Sequence, residues 1–264
     1  MSASEFTMFK LTPLPAFDDN YIWVIESPDD SSIAVVDPGD ADVVEHYLTD
    51  ANKTLAAILV THHHRDHTGG VEQLKSRYSV PVYGSSESKF PGVTHPQSDG
   101  DSIALFGEKL SIKAVPAHTL DHIAYLVNGD TPQLFCGDTL FLAGCGRLFE
   151  GSAHQMQVAM DYFASLPGNT EVYCTHEYSL ANLTFAKAAD PENSDIDQAI
   201  ARCQQMRADN QPTLPSTIAE EKKINPYMRS REAALIASAS QYSQQTISAG
   251  VETLAALREW KNNF

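Results

Sequence analysis

Long apolar runs are missing from this chain. No stretch of its 264 residues approaches the ~18 consecutive apolar side chains that a membrane-spanning helix needs. The first ten residues, MSASEFTMFK, hold no apolar core of the kind that directs secretion. A soluble, cytoplasmic protein that does not engage a membrane is expected. Cysteine is also sparse: Cys136, Cys145, Cys174 and Cys203 include no Cys-x-x-Cys pair. That spacing argues against a thiolate zinc site or a disulfide scaffold and fits reduced thiols. Basic residues are outnumbered, 18 Lys and Arg against 34 Asp and Glu, for a formal charge of −16. Affinity for nucleic acid rests largely on cations that neutralise phosphates, so this balance counts against nucleic acid as the partner. An anionic small substrate would need a local basic patch.

What is present is a chain long enough for one large domain, or one with a smaller companion, and 42% hydrophobic residues, which supply a core. Short apolar runs at 21–26, 33–36, 56–60, 110–115, 122–127 and 171–174 read as strands. They end at turn formers such as Asp37-Pro38-Gly39 and Asn128-Gly129-Asp130. Residues 41–51, 69–78 and 153–165 read as helices, the last with Ser152 as N-cap and Pro167-Gly168 beyond its end. Strands mixed with helices in this way imply sheets covered by helices. After about residue 178, segments 179–189, 195–209 and 230–262 are rich in good helix formers. Residues 210–227, with Pro212, Pro215 and Pro226, read as a loop. The expected division is therefore 1–177 for a catalytic domain and 178–264 for a small helical one.

Directly after the apolar run 56–60 stands Thr61-His62-His63-His64-Arg65-Asp66-His67-Thr68-Gly69-Gly70. On an extended segment residues i and i+2 point the same way, so His62 and His64 converge while His63 turns aside. Asp66 and His67 lie within reach of a second ion. Imidazole and carboxylate suit zinc, and iron or manganese accept the same donors. Further donors are needed. His118, Asp138 and His176 each follow a strand-like run, where loops gather at one end of a sheet. Asp37 is a possible hydrogen-bond partner for a ligand, but its turn already accounts for it and it is left out of the site.

Thr-His-x-His-x-Asp-His followed by single His, Asp and His residues resembles the metallo-β-lactamase superfamily. The resemblance implies an α/β (α+β) fold, an αββα sandwich, here with a small C-terminal α-helical domain. It implies that His62, His64 and His118 bind one metal, that Asp66, His67 and His176 bind the other, and that Asp138 bridges them. Within the superfamily, Phe17-Asp18-Asp19-Asn20-Tyr21, Gly144-Cys145-Gly146-Arg147, His176-Glu177-Tyr178, Asn225-Pro226-Tyr227-Met228-Arg229 and the C-terminal pair Arg258 and Lys261 are similar to glyoxalase II. The family's glutathione contacts then fall on Arg147, Phe149, Tyr178, Arg258 and Lys261. Arg147 stands where the family often has Lys, Phe149 where many members have Tyr, and Ala117 and Asp121 where glycines are usual.

The resemblance implies a monomeric binuclear thioester hydrolase with two divalent ions, zinc being favoured. It would cleave S-D-lactoylglutathione to glutathione and D-lactate, the second step of methylglyoxal detoxification. A metal-bridged hydroxide would attack the thioester carbonyl, with Asp66 and Asp138 as the catalytic carboxylates. The alternatives are a phosphodiesterase or ribonuclease of the same fold, or a broader thioesterase. The acidic balance and the lack of a basic stripe count against the first.

Overall fold

The computed structural model describes residues 8–264. Most of the N-terminal segment read above for a missing secretion signal therefore lies outside the described residues. The chain divides into two compact units, one of residues 8–114 and 121–137, the other of 115–120 and 138–264.

The first unit carries two sheets. One has the order β1-β2-β3-β4-β5-β6, from β1 (Leu11–Ala16), β2 (Asn20–Glu26), β3 (Ser32–Val36), β4 (Thr54–Leu59), β5 (Val82–Ser85) and β6 (His95–Gln97). Strands β1 to β3 pair antiparallel and β3 to β6 run parallel, with helices between β3 and β4 and between β4 and β5 and an irregular loop between β5 and β6. Strand β1 contains Pro13 and Pro15 and escapes a strand reading. It works because the strand is an edge, where prolines two apart turn their missing N–H groups to the open side. Of the second sheet this unit holds a four-stranded meander, β7 (Ser102–Leu105), β8 (Glu108–Ala114), β9 (Ile123–Val127) and β10 (Gln133–Gly137). Its first hairpin turns on Phe106-Gly107, both at positive φ, the two-residue geometry that suits the twist of paired strands.

Alternation sets the core. Ile22, Val24, Ile33, Val35 and Ile58 pack against Val44 and Leu48 of α1 (Ala41–Asp50) and Val71 and Leu74 of α3 (Val71–Tyr78). Tyr125 of β9 ties the second sheet to the first, its hydroxyl donating to the Val60 carbonyl at 2.8 Å. Between β4 and α3 lies only the one-turn helix α2 (Arg65–Thr68).

The second unit holds the short pair β11 (Leu140–Phe141) and β12 (Gly144–Cys145), then α4 (Ala153–Ser165), β13 (Glu171–Cys174), α5 (Ser179–Ala189) and α6 (Ser194–Ala208). There follow β14 (Ser216–Thr217), α7 (Ile218–Ile224), α8 (Ala233–Ser243) and α9 (Val251–Asn262). Ser152 caps α4 through a reciprocal capping box with Gln155. Two readings of the sequence need correction. Residues 210–227 are not all loop: Thr217 accepts from the Glu220 N–H and two glutamates occupy the first turn, enough to start α7 between the prolines. Residues 230–262 are not one helical run. Gln244 takes a left-handed conformation and Gly250 sits at φ 84°, so α8 and α9 are separate.

Helix α7 buries Glu221, whose Oε2 accepts from the Ala143 N–H and the Asn225 amide, each at 2.9 Å. Burial pushes its carboxyl up to about 7, from an ordinary 4.5. The folded chain therefore binds this proton more tightly than the unfolded chain. Its contribution to stability is full below pH 4.5 and falls as pH rises towards 7. Glu221→Gln, neutral throughout, is expected to raise the thermal midpoint relative to wild type at pH 8 and to give no such gain at pH 4.5. The difference corresponds to on the order of 1–3 kcal/mol. Equal shifts at the two pH values would show that Glu221 is not the titrating group.

Candidate metal centre and substrate contacts

In the first unit the chain leaves β4 into Thr61-His62-His63-His64 and closes α2 on Asp66 and His67. The His62 Nε2 and His64 Nδ1 atoms lie 3.1 Å apart. His67 Nε2 lies 3.3 Å from Asp66 Oδ2. Two donors each ~2.0–2.1 Å from one tetrahedral ion are roughly 3.3 Å apart, so each pair has the spacing of an edge of a coordination shell. The rings of His62 and His67 are 4.1 Å apart, which brings both pairs into one cluster.

The tautomers are set by what stands behind the rings. Asp37 is buried at the end of β3, which runs parallel to β4, so the two strands end at the same edge. Its Oδ1 accepts from the Thr61 N–H and its Oδ2 from the Thr61 hydroxyl, both at 2.7 Å. His67 Nδ1 lies 3.0 Å from the same Oδ2. A proton held there on Nδ1 leaves the Nε2 lone pair for a metal and makes it more basic. Asn20 donates to Asp66 Oδ2 at 3.2 Å and fixes that carboxylate. Beneath the cluster His122 stacks on His62, with ring centroids 4.7 Å apart. Sequence reasoning passed over Asp37, Thr61 and Asn20 as functional residues. Their signal was the turn after β3 facing the donor loop after its parallel neighbour.

His63 does turn aside. Its Nδ1 lies 2.8 Å from Oδ1 of the buried Asp121, where the family usually has glycine. The departure at 121 thus gives His63 a partner outside the donor cluster.

In the second unit Asp138 meets two imidazoles at once. Its Oδ2 lies 3.5 Å from His118 Nε2 and its Oδ1 3.3 Å from His176 Nε2. One carboxylate thus shares an edge with each of two different histidines, the arrangement of a bridge. His118 Nδ1 lies 2.8 Å from the Arg147 carbonyl, and a proton held there leaves the lone pair on Nε2, the atom that faces Asp138. Gly146 is required here, because a Cβ would meet the Asp138 carbonyl oxygen at 2.0 Å. Ala117 is accommodated because Gly151 lies against it, its N–H donating to the Ala117 carbonyl at 3.0 Å.

Aromatic rings flank these donors. Tyr178 stacks on His176 with centroids 4.6 Å apart, and Phe149, largely exposed, sets its ring edge to His118 at 5.3 Å. Arg258 is buried on α9 and donates to the Cys145 carbonyl at 2.8 Å. Lys261 donates to the Ala181 carbonyl at 3.0 Å. Burial, then the charges of Arg258 and Arg147, depress the Lys261 ammonium below its usual value. Burial pushes the Cys145 thiol up to about 11, only partly offset by Arg258, so it stays protonated at neutral pH and is no nucleophile.

Comparison with known proteins settles the family. The model described as the metallo-beta-lactamase superfamily matches residues 16–176, and that described as the hydroxyacylglutathione hydrolase C-terminus matches 177–264. A hydroxyacylglutathione hydrolase of Shewanella halifaxensis is 48% identical over 261 residues, covering 97% of this chain and all of the relative. The chain belongs to the hydroxyacylglutathione hydrolases. Another member, from Hahella chejuensis, is 45% identical over 260 residues with the same coverage. The fold is shared more widely. The crystal structure of ETHE1 from Myxococcus xanthus superposes with a TM-score of 0.64 at 24% identity, covering 86% of each chain. The fold is thus the α/β metallo-β-lactamase fold with a helical C-terminus, and the chain is a hydrolase whose His and Asp donors suit divalent metal ions. No helix among the described residues is long and apolar enough to cross a membrane.

Asp37→Asn, which disturbs the proton on His67 Nδ1, is expected to weaken metal binding about 10–100-fold, as loss of such supporting partners does. His63→Ala is expected to leave metal content unchanged and to lower the thermal midpoint, because Asp121 is left buried without its partner. Titration with a competing chelator, beside thermal melts, checks both. A loss of metal in His63→Ala equal to that in Asp37→Asn would sink the division of roles.

Proposed function

We propose that the chain hydrolyses S-(2-hydroxyacyl)glutathione thioesters such as S-D-lactoylglutathione, releasing glutathione and a 2-hydroxy acid, D-lactate. The observation that carries the hydrolytic part is Asp138, with a different histidine at each carboxylate oxygen. The thioester follows from membership of the hydroxyacylglutathione hydrolases.

In this reading His62, His64 and His118 hold one divalent ion, Asp66, His67 and His176 the other, and Asp138 both. The donor chemistry fits zinc, with iron and manganese compatible. Divalent ions held by these donors would lower the pKa of bound water and polarise an acyl carbonyl. The chain's own groups do the rest. Asp66, oriented by Asn20, accepts the proton that the attacking solvent gives up. Hydrolysis forms a C–O bond and breaks the C–S bond, and the glutathione thiolate leaves and takes up a proton. Arg147 and Lys261 meet the glutathione carboxylates, Tyr178 and Phe149 give its backbone flat faces, and Arg258 fixes the loop that carries Arg147. On this view residues 1–177 act as the catalytic domain and residues 178–264 as the substrate-binding domain. A monomer in the cytoplasm, engaging neither membrane nor nucleic acid, completes the proposal.

Protein purified without chelator is expected to carry close to two equivalents of metal in total, by elemental analysis. Asp138→Asn should lower that content and cut turnover of S-D-lactoylglutathione by orders of magnitude. Fully active protein with a single equivalent would overturn the binuclear reading.

Lys261→Ala is expected to raise KM about tenfold with kcat little changed, the pattern of lost uniform binding. A simple thioester without glutathione's carboxylates should be hydrolysed as before. Equal loss on both substrates would assign Lys261 to folding instead.

A further inference from the structure

Beside the Asp66 carboxylate the first unit opens a cleft of about 420 Å³, lined by Phe17, Gly39, Arg65, Asp66 and Gly69. That volume falls in the range of small-molecule sites. Its floor is bare backbone. A Cβ at Gly39 would meet the Asp66 carbonyl oxygen at 1.9 Å and one at Gly69 would meet the Gly39 carbonyl oxygen at 2.6 Å, so no side chain fits at either position. Phe17 forms an apolar wall. It is 59% exposed and held at φ 52°, a left-handed backbone that bulky residues rarely adopt. Its backbone is set by the three-residue turn that joins β1 to β2, and its ring lies over Gly39, facing the cleft.

Arg65 supplies the charge. The chain has eight arginines. Arg77, Arg202, Arg207, Arg229 and Arg231 pair with carboxylates, and Arg147 and Arg258 belong to the cation group of the second unit. Arg65 alone remains: exposed, with no ion pair or side-chain hydrogen bond among the described residues, in a protein of charge −16. The donor motif Thr-His-x-His-x-Asp-His leaves its position unspecified, so metal chemistry does not call for it.

We propose that this cleft is an acyl-group subsite and that Arg65 receives a distal carboxylate on the acyl chain. The chain would then also hydrolyse glutathione half-thioesters of dicarboxylic acids. The inference rests on the reading that Asp66 serves the thioester carbonyl. With the thioester carbonyl at Asp66, the acyl chain is the part of the substrate that the adjoining cleft can hold. Phe17 packs its methylenes, and the planar guanidinium meets its terminal carboxylate in the bidentate geometry that arginine favours. The reaction is the same water addition: the C–S bond breaks, a C–O bond forms, and glutathione leaves with the proton.

The test compares S-D-lactoyl-, S-butyryl- and S-glutarylglutathione on wild-type and Arg65→Met protein, with rates corrected for spontaneous loss. The variant is expected to lose roughly tenfold in kcat/KM on the glutaryl substrate, the size of one partly solvated charged contact. It should change less than twofold on the other two. In parallel, calorimetry should detect glutarate binding to wild type and not to the variant. Unchanged glutaryl kinetics, or an equal loss on all three substrates, would overturn the subsite. Wild-type protein inactive on S-D-lactoylglutathione but still binding glutarate through Arg65 would refute the proposed function while leaving the subsite standing.

Discussion

A buried carboxylate, Asp37, is the constraint on which the donor cluster of the first unit depends. The segment after β4 puts five metal-capable side chains into six positions. Left alone, such a segment has many rotamers and backbone states to choose from, and fixing one residue's backbone costs about 1–2 kcal/mol. Asp37 narrows the choice with two oxygens. One holds the Thr61 N–H, so the chain leaves the strand in one direction; the other takes the Thr61 hydroxyl and faces His67 Nδ1. This is possible because β3 and β4 run parallel and end at the same edge, so the turn after one strand braces the loop after the next.

The second unit solves the same problem with backbone carbonyls. His118 is oriented by the Arg147 carbonyl, so its precision depends on the loop 144–147. Side chains from the helical C-terminus hold that loop. Asn225 donates to the Phe141 and Gly144 carbonyls, Asn182 to the Leu142 carbonyl and Arg258 to the Cys145 carbonyl. The C-terminal helices therefore brace the backbone segment on which the His118 ring rests. Arg258 and Lys261 differ on this point: the buried arginine is a strut of the donor loop, whereas the half-buried lysine can be truncated with less consequence for it.

Much of this was legible in the sequence because it depends on short-range rules. The His-x-His pair is read from strand alternation, α4 from Ser152 and Pro167-Gly168, and the helical C-terminus from composition. What escaped depends on partners far along the chain. Strand β1 carries prolines that only an edge position tolerates, and edge position is a property of the sheet, not of the segment. Helix α7 was hidden by its flanking prolines, although its capping threonine and acidic first turn were there to be read. Asp37 looked fully explained as a turn residue. Asp121 looked like a departure from a glycine until its partner His63 came into view, 58 positions away.

The chain's cations sort by what holds them. Arg229 and Arg231 meet Asp190 and Asp161 at 2.6 Å, so their charge is cancelled inside the fold. Arg258 and Lys261 rest instead on carbonyl oxygens and on aromatic faces, Arg258 over Tyr227 and Lys261 over Phe185. These neutral partners fix geometry without removing charge. Burial first, and then the charges of Arg258 and Arg147, lower the Lys261 ammonium below its usual range. A chain with 34 carboxylates had ample means to neutralise them. Not doing so leaves the charge for an anion from outside, and the same criterion draws attention to Arg65, which has neither an ion pair nor a side-chain hydrogen bond among the described residues.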